Sequence, residues 1–240
     1  MSVSPARTSE IRIYSGGAPH RVLTAMAPAF ESATGHQLAM TFEIVSRIQE
    51  RLAAGDRPDV IMLPEELIAE TAKIVPLQPQ GRTVLARVGI GVIVAEGAAH
   101  PNLSDEDSVR SALRRAKAIA LADPRTPSGR HLDAMLQRLG LLEELQGRLI
   151  HKAAIHGGGE EVASGAADIG LYLVSEVAHI GDVSVVGLLP PALQNYVIYS
   201  VAIPASNQSP DAALEFISFL SEPANAAYWR DCGFEPCDSA

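Results

Sequence analysis

The chain has 240 residues, enough for one large domain or two small ones. With 47% hydrophobic and 20% charged residues it has a globular composition, and no apolar run approaches the ~20 residues needed to span a bilayer. The formal net charge of −9 argues against nucleic acid as the main partner, yet a local site can still draw in a small anion.

Short β-type runs alternate with helical patterns along the chain. IRIYS (11–15) reads as a strand, and a helix follows over 19–35 with Val22, Leu23, Met26 and Phe30 on one face and Gly35 as its stop. A strand is predicted over 36–44, a helix over 45–55 with Val45, Ile48 and Leu52 inward, a buried strand over 58–64 and a helix over 65–74. This order points to a parallel sheet covered on both faces. A long β run covers 85–97. Then come a helix (105–116), a strand (117–124), a helix (127–140), a strand (148–156), a short helix (158–165), a strand leading into a helix (167–177) and a strand (183–190). A second long β run covers 194–204. The closing helical stretch begins with Ser209 as N-cap and Pro210 at the first helical position, with Leu214, Ile217, Phe219 and Leu220 in period.

The two long β runs sit where one α/β unit meets the next. If both are crossings, residues 1–87 and 196–240 form one lobe and 88–195 an inserted second lobe. A single doubly wound domain is the alternative.

The stretch YSGGAPH (14–20) joins the first strand to the first helix through Ser15, Gly16 and Gly17. The first N–H groups of a helix lack internal partners and carry the positive end of its dipole. Bare glycine backbone and a serine hydroxyl at such a point suit a carboxylate or oxyanion. No Gly-Lys-Ser/Thr follows and the third glycine of a dinucleotide fingerprint is missing, so no cofactor is expected. The device recurs in DPRTPSGRHL, with Thr126, Ser128 and Gly129, and a third glycine turn at Gly157–Gly159 adds Gly158, either as ligand contact or as a plain tight turn. No metal-ligand spacing is present, and Cys232 and Cys237 read as unlinked thiols or a short-range disulfide.

The chain resembles the type II periplasmic solute-binding proteins, in particular relatives of the molybdate-binding protein. The resemblance runs in order through PAFESATGH, RLAAGDRPDVIML, LARVGIGVIV, SGRHLDAMLQRLG, VASGAADIGLYLVSEV, GLLPPALQNYVIYSVAI and SPDAALEFISFLSEPA. It implies an α/β fold of two lobes, each a mixed sheet flanked by helices, with a ligand cleft at a hinge of two crossing strands. It also implies that Ser15, Ser128 and the LYLVSE segment face a small anionic ligand, and Tyr172 and Ser175 are the polar residues taken from that segment. A monomer is the expectation, with an ABC permease as partner only if the chain is exported.

Two departures from that family matter. Where molybdate binders carry a second Ser-Gly turn, FEIVSRIQERL has no glycine and brings Glu43 toward the ligand, so an organic carboxylate is favoured over a doubly charged oxyanion. The N-terminus MSVSPARTSE lacks an apolar signal core, which places the chain as written in the cytoplasm, or in the periplasm if Met1 heads a processed chain. The family also includes aconitate-isomerase-like enzymes. An allylic proton shift on an unsaturated acid needs the same anion clamps plus one acid/base group, with no metal. His20, His156, Glu43 and Glu176 are the candidates, each with a bland alternative: a solvated first-turn histidine, a turn histidine, an exposed helical glutamate. His131 reads as a surface helix residue and His151 as structural.

Overall fold

The computed structural model describes residues 9–156, 159–207 and 209–237. In chain order the elements are β1 (Glu10–Ser15), α1 (His20–Thr34), β2 (Gln37–Phe42), α2 (Val45–Ala53), β3 (Val60–Pro64), α3 (Glu65–Thr71) and the long β4 (Thr83–Ala95). Then follow α4 (Glu106–Arg115), β5 (Ile119–Leu121), α5 (Pro127–Arg138), α6 (Leu142–Leu145), β6 (Leu149–His151), α7 (Glu160–Ala163), β7 (Ile169–Leu173), α8 (Val174–Val177) and β8 (Val183–Leu188). The chain closes with β9 (Tyr196–Ala202), α9 (Pro210–Ser221), α10 (Ala226–Asp231) and β10 (Glu235–Pro236).

The chain divides into two compact units. One takes the chain up to Ala86 and again from Ile198; the other is Arg87–Val197. The unit changes fall inside β4 and β9, the two long strands. No described helix is long and apolar enough to cross a membrane.

In the first unit β1 lies parallel between β2 and β3, and β9 runs antiparallel along β3 with Leu63 opposite Ser200. All of β3 is buried, as its unbroken apolar run requires. Helix α1 buries Val22, Leu23, Met26, Ala27 and Phe30, the face predicted from its period. It stops at Gly35, whose φ of 78° is a left-handed cap that a side chain would strain, and whose N–H returns to the Glu31 carbonyl. Phe30 meets Phe216 and Phe219 edge-on at 5.1 and 5.4 Å, which binds α9 to α1. The Trp229 indole of α10 is buried and donates to the Leu220 carbonyl at 3.0 Å. Cys232 and Cys237 form no disulfide.

In the second unit β5 is parallel to β6 and β7, while β4 is antiparallel to β7 and β8. Leu132, Met135 and Leu136 of α5 are buried.

Several predicted strands are shorter than expected. Residues 117–124 keep only β5, and 148–156 keep only β6 before a 3-10 turn at Ala154–His156. The cause is shared: β5 ends at Leu121, so once the Lys152 N–H has bonded the Leu121 carbonyl there is no backbone left to pair with. Residues 36–44 keep β2, because Ile44 already serves as the N-cap position of α2. In α9, Leu214 is 41% exposed and Phe216 takes its place in the core. Ser209 holds the N-cap position, but its side chain makes no cap bond.

Candidate functional site

Open α/β sheets bind ligands outside the carboxyl ends of their parallel strands. Both units place their predicted polar residues there. In the first unit the register sets Ser15 beside Phe42 and Met62, so the three strand exits lie side by side.

Ser15 is fully buried, and its hydroxyl donates to the Gly16 carbonyl at 3.0 Å. The Gly16 N–H donates to the Met62 carbonyl and the His20 N–H to the Gly17 carbonyl, each at 3.0 Å. The turn thus uses much of its own polarity to hold shape. The Gly17 and Ala18 N–H groups have no acceptor among the described residues and remain for an anion. Neither Gly16 nor Gly17 has a positive φ. A Cβ at Gly16 would sit 3.4 Å from the Tyr199 ring, an ordinary contact, so neither strain nor crowding demands glycine at position 16.

Glu43 is brought to the same strand ends: its N–H donates to the Ser15 carbonyl at 3.1 Å. His20 is exposed and packs edge-on against Phe42 with centroids 4.4 Å apart. Behind the turn, the Tyr14 hydroxyl donates to Asp56 at 2.7 Å, and Arg51 donates to both Asp56 (2.7 Å) and the Tyr14 oxygen (2.6 Å). Tyr14 and then Arg51 hold the Asp56 carboxyl below its ordinary range. Asp56 in turn raises the Arg51 pKa, and Glu43 adds a smaller push in the same direction. Glu43 therefore faces a permanent cation, which softens its expected repulsion of an anion.

Sequence reading missed two groups at these strand ends. The Ser200 hydroxyl is fully buried without a partner, and Glu65 at the start of α3 pairs one oxygen with Arg82 while the other is buried without a partner among the described residues. Neither follows a glycine turn, so no local pattern marks them.

In the second unit the exits of β5 and β7 are neighbours, with Leu121 opposite Leu171 and the Ala122 N–H bonded to the Leu171 carbonyl. Thr126 caps α5 by accepting the Gly129 N–H at 3.1 Å, and its hydroxyl hydrogen goes to the Asp123 carbonyl at 2.7 Å. Its 3.3 Å contact with Ser128 must then be donated by Ser128, which is buried. Gly129 is glycine for packing: an added Cβ would lie 2.1 Å from the Asp123 carbonyl oxygen. Thr126 and Gly129 therefore shape the turn, and Ser128 is the hydroxyl that can turn to a ligand.

The β7–α8 junction carries the least satisfied polarity. The hydroxyls of Tyr172 and Ser175 are both buried and have no partner among the described residues. Burial first, then the charges of Glu176 and Glu161, push the Tyr172 hydroxyl far above its ordinary pKa. Burial also pushes the Glu176 carboxyl up to about 7, against the smaller lowering effect of the Leu173 N–H. Of the remaining predicted residues, Gly158 and the His156 side chain lie outside the described residues. His131 is partly buried and ties α5 to the Leu193 carbonyl at 2.8 Å, while His151 pairs with Asp133 at 2.9 Å. Among the described residues no group of three His, Cys, Asp or Glu could hold a metal ion.

Residues 11–235 match the family described as bacterial extracellular solute-binding protein. The chain belongs to that family. Aconitate isomerase from a Pseudomonas species is 26% identical across 98% of the chain and 90% of its own length. Among solved structures, the periplasmic molybdate-binding protein of Azotobacter vinelandii aligns with a TM-score of 0.76 at 21% identity, over 93% of this chain and 98% of that one. The sulfate-binding protein SubI of Mycobacterium tuberculosis H37Rv aligns with a TM-score of 0.76 at 18% identity, over 97% of this chain and 88% of that one. The solute-binding fold expected from the sequence is thereby established.

Proposed function

We propose that this solute-binding protein takes up a small anion, an organic carboxylate, at the strand ends of the second unit that carry Tyr172, Ser175 and Ser128; the turn of Ser15, Gly16 and Gly17 is the matching anion-type feature of the first unit. The observation that carries the reading is the pair of buried, partnerless hydroxyls at the β7–α8 junction. Leaving such a group unpaired costs about 1–3 kcal/mol, which a ligand oxygen would return on binding. The molybdate- and sulfate-binding relatives favour an anion, and Glu43 at the strand ends of the first unit, only partly offset by Arg51, weighs against a compact inorganic dianion there. If the chain is exported, an ABC permease is its natural partner.

One observation favours a second reading. A carboxyl with a pKa of about 7 can both take and return a proton near neutrality, and Glu176 is such a group beside Tyr172. With the aconitate isomerase relative in view, Glu176 would remove a proton from one carbon of an unsaturated acid, the double bond would move by one position, and Glu176 would return the proton to the far carbon. His20, which is exposed, is the weaker candidate.

A thermal-shift screen of citrate, cis- and trans-aconitate, malonate, sulfate and molybdate, with proton NMR of each hit, tests both readings. Stabilisation by a carboxylate recovered unchanged supports a binder. Recovery of a double-bond isomer, lost in Glu176→Gln, supports an enzyme. Stabilisation by molybdate or sulfate alone overturns the carboxylate assignment.

A further inference from the structure

A cavity of about 470 Å³ lies within the second unit, away from the strand exits just described. Its floor is apolar, from Val94, Ala112 and Ile169, all buried. The register places it at the opposite end of the sheet: Ile169 is the first residue of β7, whereas Leu173, which leads into the Ser175 junction, is the last. At about 3.3 Å per residue, the two ends of this strand are roughly 13 Å apart.

The rim is basic. His100, Arg115 and Lys117 line it, on a chain whose net charge is −9. One acid is present, Asp168, and its carboxylate already accepts the Lys117 and Ala118 backbone N–H groups. Arg115 uses one N–H on Ser111 at 2.6 Å and keeps the others. The Lys117 ammonium and the His100 ring have no side-chain partner among the described residues. An apolar hollow, open to solvent on one side and bordered by a few polar donors, has the ordinary make-up of a small-molecule site.

We propose that this cavity is a second, separate site for an amphiphilic monocarboxylate: an acid with a short aliphatic chain or one ring to fill the apolar floor, and a single carboxylate held by Arg115 and Lys117 with an N–H from His100. Arg114 meets Glu144 and Lys152 meets Glu161, whereas Arg115 and Lys117 line an apolar surface. Guanidinium and ammonium donors beside a hydrocarbon wall select charge and apolar body together. The site stands independently of the function assigned to the strand exits.

Octanoate is the probe, titrated into the whole chain and followed by amide NMR shifts and calorimetry, with 1-octanol as the uncharged control. The expected result is saturable shifts at Lys117 and Ile169, weakening at least tenfold in Lys117→Glu and in Arg115→Glu and several-fold in Lys117→Gln. Both side chains are exposed, so the fold should survive each change. No saturable shift at the cavity, equal binding of 1-octanol, or affinity unmoved in all three rim variants would each overturn the proposal.

Discussion

The strand exits of the two units are built from similar residue types and handled differently. In the first unit, the Ser15 hydroxyl, the Gly16 N–H and the His20 N–H all find partners inside their own turn or on β3. In the second, Thr126 likewise serves its turn, but at the β7–α8 junction Tyr172 and Ser175 are buried and unpaired among the described residues, whereas in the first unit the unpaired Ser200 and Glu65 lie outside the Ser15 turn. A turn that satisfies most of its own polarity, leaving the Gly17 and Ala18 N–H groups open, is pre-shaped before ligand arrives. A junction that does not is held at a cost, and that cost is recovered only by something that binds. The comparison predicts that the Ser15 turn keeps its shape with or without ligand, whereas the β7–α8 junction is where a ligand is discriminated.

The sharpest probe of the second unit is Gly129→Ala. A Cβ placed 2.1 Å from a backbone oxygen forces the turn apart, and the loss should be about 3 kcal/mol or more in urea denaturation. The matching change in the first unit, Gly16→Ala, meets only ordinary contact and should cost less than about 1 kcal/mol, through little more than side-chain fit. Equal losses would erase the distinction between a crowded turn and an open one.

Next in size is the pH dependence set by Glu176. The unfolded carboxyl releases its proton near 4.5 and the folded one at about 7. Over that window the folded chain holds more protons, so stability falls as pH rises from 4.5 and levels off above 7. The drop should be about 1–3 kcal/mol, less than the full shift because the residue is half-buried. Glu176→Gln should flatten that slope in urea titrations run at several pH values, and a slope that persists would place the proton elsewhere.

Smaller effects come from Tyr172→Phe and Ser175→Ala. Each removes an unpaired buried hydroxyl, so the free protein should hold its stability or gain up to about 1 kcal/mol. Ligand affinity should fall by about 1–3 kcal/mol in calorimetry with the best carboxylate from the screen. Ser15→Ala should do the reverse at first: about 1 kcal/mol of stability lost with its internal hydrogen bond. If Ser15→Ala instead stabilises the free protein, the Ser15 turn is no better satisfied than the β7–α8 junction.

Much of the fold was legible because it rests on local pattern. The face of α1, its Gly35 stop and the two long β runs follow from period and from glycine chemistry. Strand length was less legible, since β5 and β6 end where a neighbour ends, not where the residues stop favouring a strand. At the candidate site, Ser15, Ser128, Tyr172 and Ser175 were singled out through glycine turns and family resemblance, and the structure buries all four at strand exits. Their hydrogen-bond state was invisible, because Gly129 answers to the carbonyl of Asp123 and Thr126 to the same group. Ser200 and Glu65 were missed because their burial is decided by strands far apart in the chain: Ser200 sits opposite Leu63 only once β9 has come to β3.

That same pairing orders events during synthesis. The unit Arg87–Val197 is one uninterrupted piece of chain and can collapse as soon as it leaves the ribosome. The other unit must hold β1, β2 and β3 as an incomplete sheet until β9, α9 and α10 emerge last, since Ile61 and Met62 find Ala202 and Val201 only then. A nascent chain that has emerged only as far as residue 197 would thus carry one finished unit and an open sheet edge, which is the form most prone to aggregation and the one a chaperone would most need to cover.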